Sequence, residues 1–305
     1  MCSMDNRWFT RATRLADGIE RTTDILNKFD CNPNPLTILA KKHKTDKAAK
    51  IEWTTDTTGD TIKINGHNYT HIYYEVLNKF KDKKFNLLEL GVGDTGASVK
   101  MWKEFFPNAN ITLFDPFFIT NSEVTVTAEE LRDLGIEVVI GNQLCPKDLL
   151  KLIKNKNHKF DVIIDDASHV SDGVQITLAT LLPYLSDDGY YFVEDLSSAR
   201  ERDAKISEVN NWLDGPDVDQ QIEKQYHRKE IHIMDSLNEL ATSGFYKSDI
   251  LSEQQKSYLE ENIKYFACYE DFDGRQNLVL IKKIKPDVLV ELPKLEKLKD
   301  ILKWV

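Results

Sequence analysis

The stretch NLLELGVGDTG, residues 86–96, decides the fold class. It begins as a short apolar run typical of a strand and then opens into Gly91, Gly93 and Gly96, which are spaced as GxGxxG. Glycines at this spacing permit a tight turn from a strand into a helix and let a ligand approach the backbone closely. The stretch therefore predicts a nucleotide-type binding turn at the carboxyl end of a buried strand.

Strands and helices alternate on both sides of this turn, from Phe85 to Asp195. Short apolar runs typical of strands buried on both faces recur as FNLLEL, NITLF, IEVVI, FDVII and GYYFV, with amphipathic helical segments between them. Two later β-rich runs, IKYFACYE and QNLVLIKKI, predict an antiparallel hairpin. We expect an α/β fold with a doubly wound, mostly parallel, seven-stranded sheet that ends in this C-terminal hairpin.

Composition excludes several classes of partner. The net charge is −10, so a nucleic acid duplex or an anionic membrane surface is not expected as a partner. The four cysteines form no CxxC pair, which favours reduced thiols over a disulfide framework or a zinc site. No apolar run approaches the roughly 20 residues that span a bilayer. These features predict a cytoplasmic protein.

Charge around the glycine turn distinguishes between two cofactors. Glu89 lies two residues before Gly91, and Asp94 lies within the turn. Both carboxylates would repel the pyrophosphate of NAD, which prefers the uncompensated positive end of a helix. S-adenosylmethionine has no phosphate and carries a sulfonium and an ammonium group. Asp115, at the end of the next strand, could hydrogen-bond the ribose of either cofactor. The turn favours S-adenosylmethionine over NAD, and a plain turn without a ligand is the alternative.

A second group of polar residues follows two later strands. FDVIIDDASH ends in Asp165, Asp166 and His169, and YYFVEDL ends in Glu194 and Asp195. These strands are expected to be neighbours, about 5 Å apart, so their carboxyl ends meet at one edge. Converging carboxylates repel one another unless a cation is bound, and a hard divalent ion such as Mg²⁺ or Mn²⁺ takes oxygen ligands. Solvated acids at polar strand ends are the alternative interpretation.

The ordered motifs ELGVGDTG, FDP, GNQ, IDDASH and VEDL resemble the class I S-adenosylmethionine-dependent O-methyltransferases that modify macrolide sugars, of the mycinamicin and tylosin type. Upstream, KKHKTDK and HNYTHIY resemble the Thr-Asp-Lys and His-x-Tyr-Thr segments of that family. The similarity extends from Leu39 to Ile284. It implies the Rossmann-like class I methyltransferase sheet, in which five parallel strands with crossover helices are followed by a terminal hairpin, as in the sequence of elements predicted above.

The resemblance also implies roles at the ends of the two later strands. By position, Asp166, Glu194 and Asp195 would bind the metal. His169 would be the general base, so His169 and Asp166 are the expected catalytic residues. Asp165 either touches the site or caps the turn.

For the cofactor, the resemblance implies that Glu89, Asp115 and Gln143 hold S-adenosylmethionine. Asn142 stands where the family more often has aspartate, and its amide can still accept a hydrogen bond from the adenine amine. The full set expected to bind the cofactor is Glu89, Gly91, Gly93, Asp115, Asn142, Gln143 and Asp165.

The upstream segments contribute four further candidates, Asp46, Lys47, His67 and Tyr69. His67 and Tyr69 could line the acceptor pocket or cover the cofactor. Asp46 and Lys47 could do the same, and an ordinary surface ion pair is the alternative for these two.

The reaction that the resemblance implies is methyl transfer to a sugar hydroxyl, such as a deoxyhexose like rhamnose in a glycan or glycoside. A bound metal would stabilise the developing alkoxide, and a histidine, with an ordinary pKa of about 6.5, can take the proton. The acceptor would be a small molecule or an oligosaccharide. A catechol-type phenolic acceptor, an NAD-dependent oxidoreductase and a non-catalytic α/β module are the alternatives.

The domain organisation follows from these assignments. Residues 1–80 are polar and predict a helical N-terminal region, within which IEWTTDTTGDTIKINGHN predicts a loop or a small hairpin. Residues 81–285 would form the S-adenosylmethionine-binding methyltransferase domain, with a helical insertion at 196–260 that could cover the acceptor. Residues 286–305 predict a helical tail. The helical additions at both ends could make the contacts of a homo-oligomer.

Overall fold

The computed structural model describes residues 11–14, 20–25, 33–48, 50–54, 61–117, 125–154, 159–196, 232–270 and 276–283. The strands are β1 Arg11–Arg14, β2 Glu20–Ile25, β3 Lys50–Thr54, β4 Thr61–Asn65, β5 Asn86–Leu90, β6 Asn110–Asp115, β7 Glu137–Ile140, β8 Phe160–Asp165, β9 Leu185–Val193, β10 Ile263–Glu270 and β11 Gln276–Lys283. The helices are α1 Pro35–His43, α2 Thr70–Leu77, α3 Ala97–Phe105, α4 Ala128–Asp133, α5 Pro146–Lys154, α6 Ser171–Leu181, α7 Ile233–Ser243 and α8 Glu253–Asn262. Single 3₁₀ turns occupy Asn78–Phe80 and Leu182–Tyr184.

The central sheet has the strand order β1-β2-β10-β11-β9-β8-β5-β6-β7. Strands β5 to β9 run parallel to one another, and β11 runs antiparallel to both β9 and β10. The predicted seven-stranded, mostly parallel sheet with its antiparallel C-terminal hairpin is therefore confirmed for strands β5 to β11, and β1 and β2 extend it to nine strands among the described residues. After β5, the chain forms β6 on one side of β5, and it later returns to form β8 on the opposite side of β5. This reversal opens a crevice at the carboxyl ends of β5 and β8, where doubly wound sheets bind ligands.

The N-terminal region contains strands as well as the expected helices. β3 and β4 form an antiparallel hairpin, which was one of the two predicted interpretations of that stretch. β2 adds to the sheet parallel to β10, and β1 pairs antiparallel with β2. β1 and β2 were not predicted, because RATR and ERTTDI lack an apolar alternation.

The remaining domain assignments stay predictions. Residues 197–231 of the predicted insertion and the predicted tail at 286–305 lie outside the described residues. In the parts of the chain that the structure covers, none of the helices has the length and apolar character needed to cross a membrane.

Both faces of the sheet are covered by buried side chains. On one face, Leu87 packs with Trp102 of α3 and with residues of α1 and α2. On the other face, Leu88 and Leu90 pack with α5, α6 and α7. This double burial explains why the strands are continuously apolar in sequence. Because side chains alternate along a strand, Glu89 points to the same face as Leu87, toward α3.

Candidate active site

The glycine turn after β5 has the conformation that its sequence requires. Gly91, Gly93 and Gly96 all have positive φ, at 98°, 57° and 64°. A Cβ at Gly91 would overlap the backbone carbonyl oxygen of Asp166, so only glycine allows this close approach of β5 to the end of β8. A Cβ at Gly93 would meet no atom of the described residues within 4 Å, so the turn is open there with respect to that part of the chain.

Glu89 is a buried carboxylate with one unpaired oxygen. Its side chain is 0% exposed, and Oε1 accepts a hydrogen bond of 3.1 Å from the indole Nε1 of Trp102. Oε2 has no hydrogen-bond partner among the described residues. Burial raises the pKa of Glu89 to about 7, against the opposing effect of the Lys47 ammonium. An unpaired buried carboxylate oxygen beside an open glycine turn fits a cationic ligand such as S-adenosylmethionine.

Asp115 ends β6 beside this turn and supports the loops around it. Its Oδ2 accepts from the backbone N–H of Val92 at 3.0 Å, and its Oδ1 accepts from that of Phe117 at 2.5 Å. Burial raises the pKa of Asp115. The carboxylate therefore connects the glycine turn to the loop after β6.

Three of the predicted cofactor residues support the neighbouring loops. The side-chain amide of Gln143 donates to Asp165 and accepts from the backbone N–H of Ser168, the latter at 2.9 Å. Asn142 Oδ1 accepts from the Leu144 N–H at 2.9 Å. Burial raises the pKa of Asp165 to about 7. Gln143 and Asp165 are thus a buried link between the loops after β7 and β8, and their contacts with a cofactor remain predictions.

The ends of β8 and β9 bring the predicted catalytic residues together. Asp166, His169 and Asp195 each offer one ligand atom, and these atoms lie within 4.8 Å of one another. His169 Nε2 is 3.8 Å from Asp166 Oδ1 and 3.9 Å from Asp195 Oδ2. His169 and Asp195 also have positive φ, at 54° and 55°. Positive φ is uncommon for residues other than glycine, and where it occurs it is often found at functional sites.

Lys47 lies inside this acidic cluster. Its side chain is 1% exposed, and its Nζ is 2.5 Å from Asp166 Oδ2, 2.7 Å from Glu194 Oε2 and 3.9 Å from Glu89 Oε1. Burial would lower the pKa of Lys47, but these carboxylates outweigh it and raise the pKa well above its ordinary value. The alternative of a surface ion pair is therefore wrong for Lys47, whereas the adjacent Asp46 is exposed.

Glu194 is held by the protein at both carboxylate oxygens. Oε2 accepts from Lys47, and Oε1 accepts from the Tyr73 hydroxyl at 2.5 Å. Burial and the nearby Asp166 raise the pKa of Glu194, and Lys47 opposes that rise. Tyr73 was not among the predicted site residues, because in THIYYEVL it is indistinguishable from an apolar residue on the buried face of a helix.

His67 and Tyr69 lie at the same cluster, and their predicted roles in lining the acceptor pocket or covering the cofactor remain predictions. The Tyr69 hydroxyl donates to Asp195 Oδ1 at 2.6 Å, and the His67 ring stacks on the Tyr69 ring with centroids 5.1 Å apart. His67 Nε2 is 3.6 Å from Asp195 Oδ1. Burial would raise the pKa of Asp195, but His67, His169 and Tyr69 lower it below its ordinary value.

The segments that carry Lys47 and Tyr69 are joined through their backbones. The His67 N–H donates to the Asp46 carbonyl at 2.7 Å, and the Thr70 N–H donates to the Lys47 carbonyl at 3.1 Å. A Cβ at Gly66 would overlap the carbonyl oxygen of Ala48, so this contact also requires glycine. Residues 45–48 and 66–70 therefore form one unit that is seated over the ends of β8 and β9.

Known proteins resemble the chain in sequence and in fold. It is 26% identical over 208 residues to the 8-demethyl-8-(2-methoxy-alpha-L-rhamnosyl)-tetracenomycin-C 3'-O-methyltransferase of Streptomyces olivaceus, across 64% of this chain and 47% of that protein. It is 32% identical over 139 residues to the mycinamicin VI 2''-O-methyltransferase of Micromonospora griseorubida, across 44% of this chain and 32% of that protein. Among solved structures, the MycE methyltransferase of the mycinamycin biosynthetic pathway, in complex with Mg, SAH and mycinamycin VI, superposes with a TM-score of 0.53 and 20% identity, across 86% of this chain and 58% of that chain.

No protein-family model matches the chain. The chain spans less than half of the length of each of these two curated relatives. At 20% identity, the structural likeness establishes the fold. The chain therefore shares the sheet of the MycE methyltransferase, and in sequence it is similar to the two O-methyltransferases named above.

Proposed function

We propose that this chain transfers a methyl group from S-adenosylmethionine to a sugar hydroxyl, with Mg²⁺ or Mn²⁺ at the acidic cluster. One observation carries the proposal. Asp166, His169 and Asp195 converge within 4.8 Å at the carboxyl ends of β8 and β9. They do so directly beside the glycine turn and the unpaired oxygen of Glu89.

The cofactor would bind at the glycine turn. Glu89 would accept hydrogen bonds from the cationic amino acid part of S-adenosylmethionine, and the open face at Gly93 leaves room for it. Asp115 would bind the ribose with the lone pairs that its backbone contacts leave available. Gln143 and Asp165 would maintain the shape of the adjoining loop.

The acidic cluster fits a hard divalent ion, because carboxylate oxygens are the ligands that Mg²⁺ prefers. Asp166 and Asp195 would hold the ion, with His169 adjacent, and the resemblance adds Glu194. When bound, such an ion would stabilise the negative charge that develops on an attacking hydroxyl oxygen.

His169 would take the proton of the acceptor hydroxyl. Its ring is partly exposed, and its Nε2 lies 3.8 Å from Asp166 Oδ1 and 3.9 Å from Asp195 Oδ2, the two carboxylates that would hold the ion. The sulfonium methyl is already activated, so the remaining task of the chain is to align oxygen, carbon and sulfur and to exclude water.

The acceptor we infer is a sugar with adjacent hydroxyls, such as a deoxyhexose like rhamnose in a glycan or glycoside. The two relatives support this choice, because one is named for a rhamnosyl tetracenomycin and the other for mycinamicin VI. The stacked rings of His67 and Tyr69 border the cluster and would form one wall of the acceptor pocket. A homo-oligomer and a cytoplasmic location remain predictions.

A methyl-transfer assay tests the proposal. The full chain is incubated with S-adenosylmethionine carrying a labelled methyl group, with rhamnosides and with catechols, in the presence of Mg²⁺ or EDTA. We expect label in a rhamnoside, and its loss with EDTA. If only catechols become labelled, the acceptor is a phenol and not a sugar. Methyl transfer that is unaffected by EDTA would contradict the metal requirement.

Two substitutions test the assigned roles. We expect His169→Ala and Asp166→Ala each to abolish turnover, because they remove the base and a metal ligand. Both should bind S-adenosylhomocysteine nearly as the unaltered chain does, as measured by calorimetry. Full turnover in either variant at saturating acceptor would refute these roles.

A further inference from the structure

Two buried tyrosines at the start of α2 face the end of β9. Tyr69 immediately precedes α2, and Tyr73 follows one helical turn later, where its N–H donates to the Tyr69 carbonyl at 3.0 Å. Residues four apart lie on the same face of a helix. Both side chains are fully buried. The two phenol rings therefore point from one face of α2 into the protein.

Each tyrosine hydroxyl binds one of two successive acids. The Tyr73 hydroxyl donates to Glu194 Oε1 at 2.5 Å, and the Tyr69 hydroxyl donates to Asp195 Oδ1 at 2.6 Å. The carbonyl oxygen of Asn277 is 3.3 Å from the Tyr69 hydroxyl. Because a phenol has a single proton, the shorter contact with the carboxylate takes it. Each acid is thus held at one oxygen by an uncharged donor.

The backbone at the end of β9 brings both acids to the same helix. In an extended strand, successive side chains point to opposite faces of the sheet. Asp195 has a φ of 55°, which ends this alternation directly after Glu194. A residue other than glycine keeps positive φ only where its surroundings stabilise it, and the Tyr69 hydroxyl is one such contact.

The two phenol rings are fixed by their own packing. The Tyr73 ring packs edge-on against Trp102, with centroids 5.1 Å apart, and against Phe192 of β9 at 4.6 Å. The Tyr69 ring stacks on His67. Rings held in this way keep their hydroxyl oxygens at constant positions relative to β9. A hydroxyl that cannot move determines how the carboxylate bound to it is oriented.

We propose that Tyr69 and Tyr73 are positioning residues for the metal ion of the proposed function, on which this inference rests. Tyr69 would act through Asp195, whose Oδ2 faces His169. Tyr73 would act through Glu194, a metal ligand that the resemblance implies. A carboxylate that accepts one hydrogen bond keeps lone pairs for an ion, and orienting it beforehand lowers the cost of binding that ion.

Two substitutions that change no charge test the inference without relying on activity. Tyr69→Phe and Tyr73→Phe each remove one hydroxyl and keep the ring. The affinity of the full chain for Mn²⁺ is measured by electron paramagnetic resonance, and each variant should bind Mn²⁺ at least about tenfold more weakly. Tyr190→Phe is the matched control and should leave the affinity unchanged, because Tyr190 is a buried tyrosine whose hydroxyl accepts from Lys79 away from the cluster.

A double-mutant cycle shows whether Tyr69 acts through Asp195. Asp195→Asn alone should weaken Mn²⁺ binding, because it removes a ligand. Adding Tyr69→Phe to Asp195→Asn should then weaken it little further, whereas two independent effects would multiply. Thermal melting checks the fold of each variant. If one of the two phenylalanine variants does not fold, the other decides.

The outcomes separate the inference from the proposed function. A tyrosine with a merely structural role would lower the melting temperature and leave Mn²⁺ affinity unchanged. If the unaltered chain binds Mn²⁺ and a folded phenylalanine variant binds it equally well, the inference is overturned and the proposed function stands. Multiplying effects in the double-mutant cycle would also overturn it. If the unaltered chain does not bind Mn²⁺, the inference falls together with the metal requirement of the proposed function.

Discussion

At the residue scale, the site depends on charged groups that are buried and paired with one another. Lys47, Glu89 and Glu194 are almost fully removed from solvent, and each would be costly to bury alone. His169 and Asp195 add an uncommon backbone conformation at the same place. Buried charge and unusual backbone geometry both reduce stability, and proteins concentrate them where ligands bind or react.

Glu89 gives a prediction for the pH dependence of stability. Its pKa is about 7 in the fold and 4.5 in its ordinary environment. The folded chain therefore keeps this proton at pH values where the unfolded chain releases it. The stability that Glu89 contributes is fully present below pH 4.5 and is lost as the pH rises through about 7.

The measurement is urea unfolding of the chain without cofactor, compared with Glu89→Gln at several pH values from 5 to 8. The free energy of unfolding of the unaltered chain should fall, relative to the variant, on the order of 3 kcal/mol over the full titration, since one pKa unit is about 1.4 kcal/mol. A constant difference between the two proteins at all pH values would contradict the assigned pKa.

At the element scale, the turn between β5 and α3 determines both the packing of the sheet and the open face for the cofactor. Gly91 passes against the backbone of Asp166 at the end of β8, while Gly93 has no described atom within 4 Å of its Cβ position. The same turn therefore contains one glycine required by packing and one whose side-chain position is free for a ligand. The unit of residues 45–48 and 66–70 covers the ends of the neighbouring strands β8 and β9.

Two glycine substitutions separate these roles. Gly91→Ala should destabilise the fold by at least about 2 kcal/mol, because it combines positive φ with a steric overlap. Gly93→Ala has positive φ but no overlap, so it should cost about 1–2 kcal/mol. The main effect of Gly93→Ala should be on the cofactor site, where S-adenosylhomocysteine should bind more weakly.

Urea unfolding and calorimetry with S-adenosylhomocysteine measure these two effects. Unchanged binding by Gly93→Ala would place the cofactor away from the turn. Equal destabilisation by both substitutions would show that the overlap at Gly91 is relieved by movement of β8.

At the scale of the whole molecule, the sheet from β5 to β11 could be predicted because its strands are buried on both faces and read as continuous apolar runs. The convergence of Asp166, His169 and Asp195 could also be predicted, since carboxyl ends of adjacent parallel strands meet at one edge. The buried role of Lys47 could not. Its partners Asp166 and Glu194 lie 119 and 147 residues away in sequence, and no local sequence pattern predicts contacts over such separations.

The N-terminal strands were missed for a related reason. The sequence of β2 has no alternating apolar pattern, and β2 forms a strand by pairing with the edge of β10. Tyr73 likewise pairs with Glu194 across 121 residues. Local sequence thus predicts the elements that form the sheet, whereas the N-terminal contacts that complete the site depend on the assembled fold.

The most direct test of the account is a crystal structure with S-adenosylhomocysteine and Mn²⁺, in which the ion is located by its anomalous scattering. The account predicts one ion between the ends of β8 and β9, bound by Asp166 and Asp195 at about 2.1 Å, beside a cofactor at the glycine turn. Carboxylates that point apart with no ion between them, at saturating Mn²⁺, would contradict it.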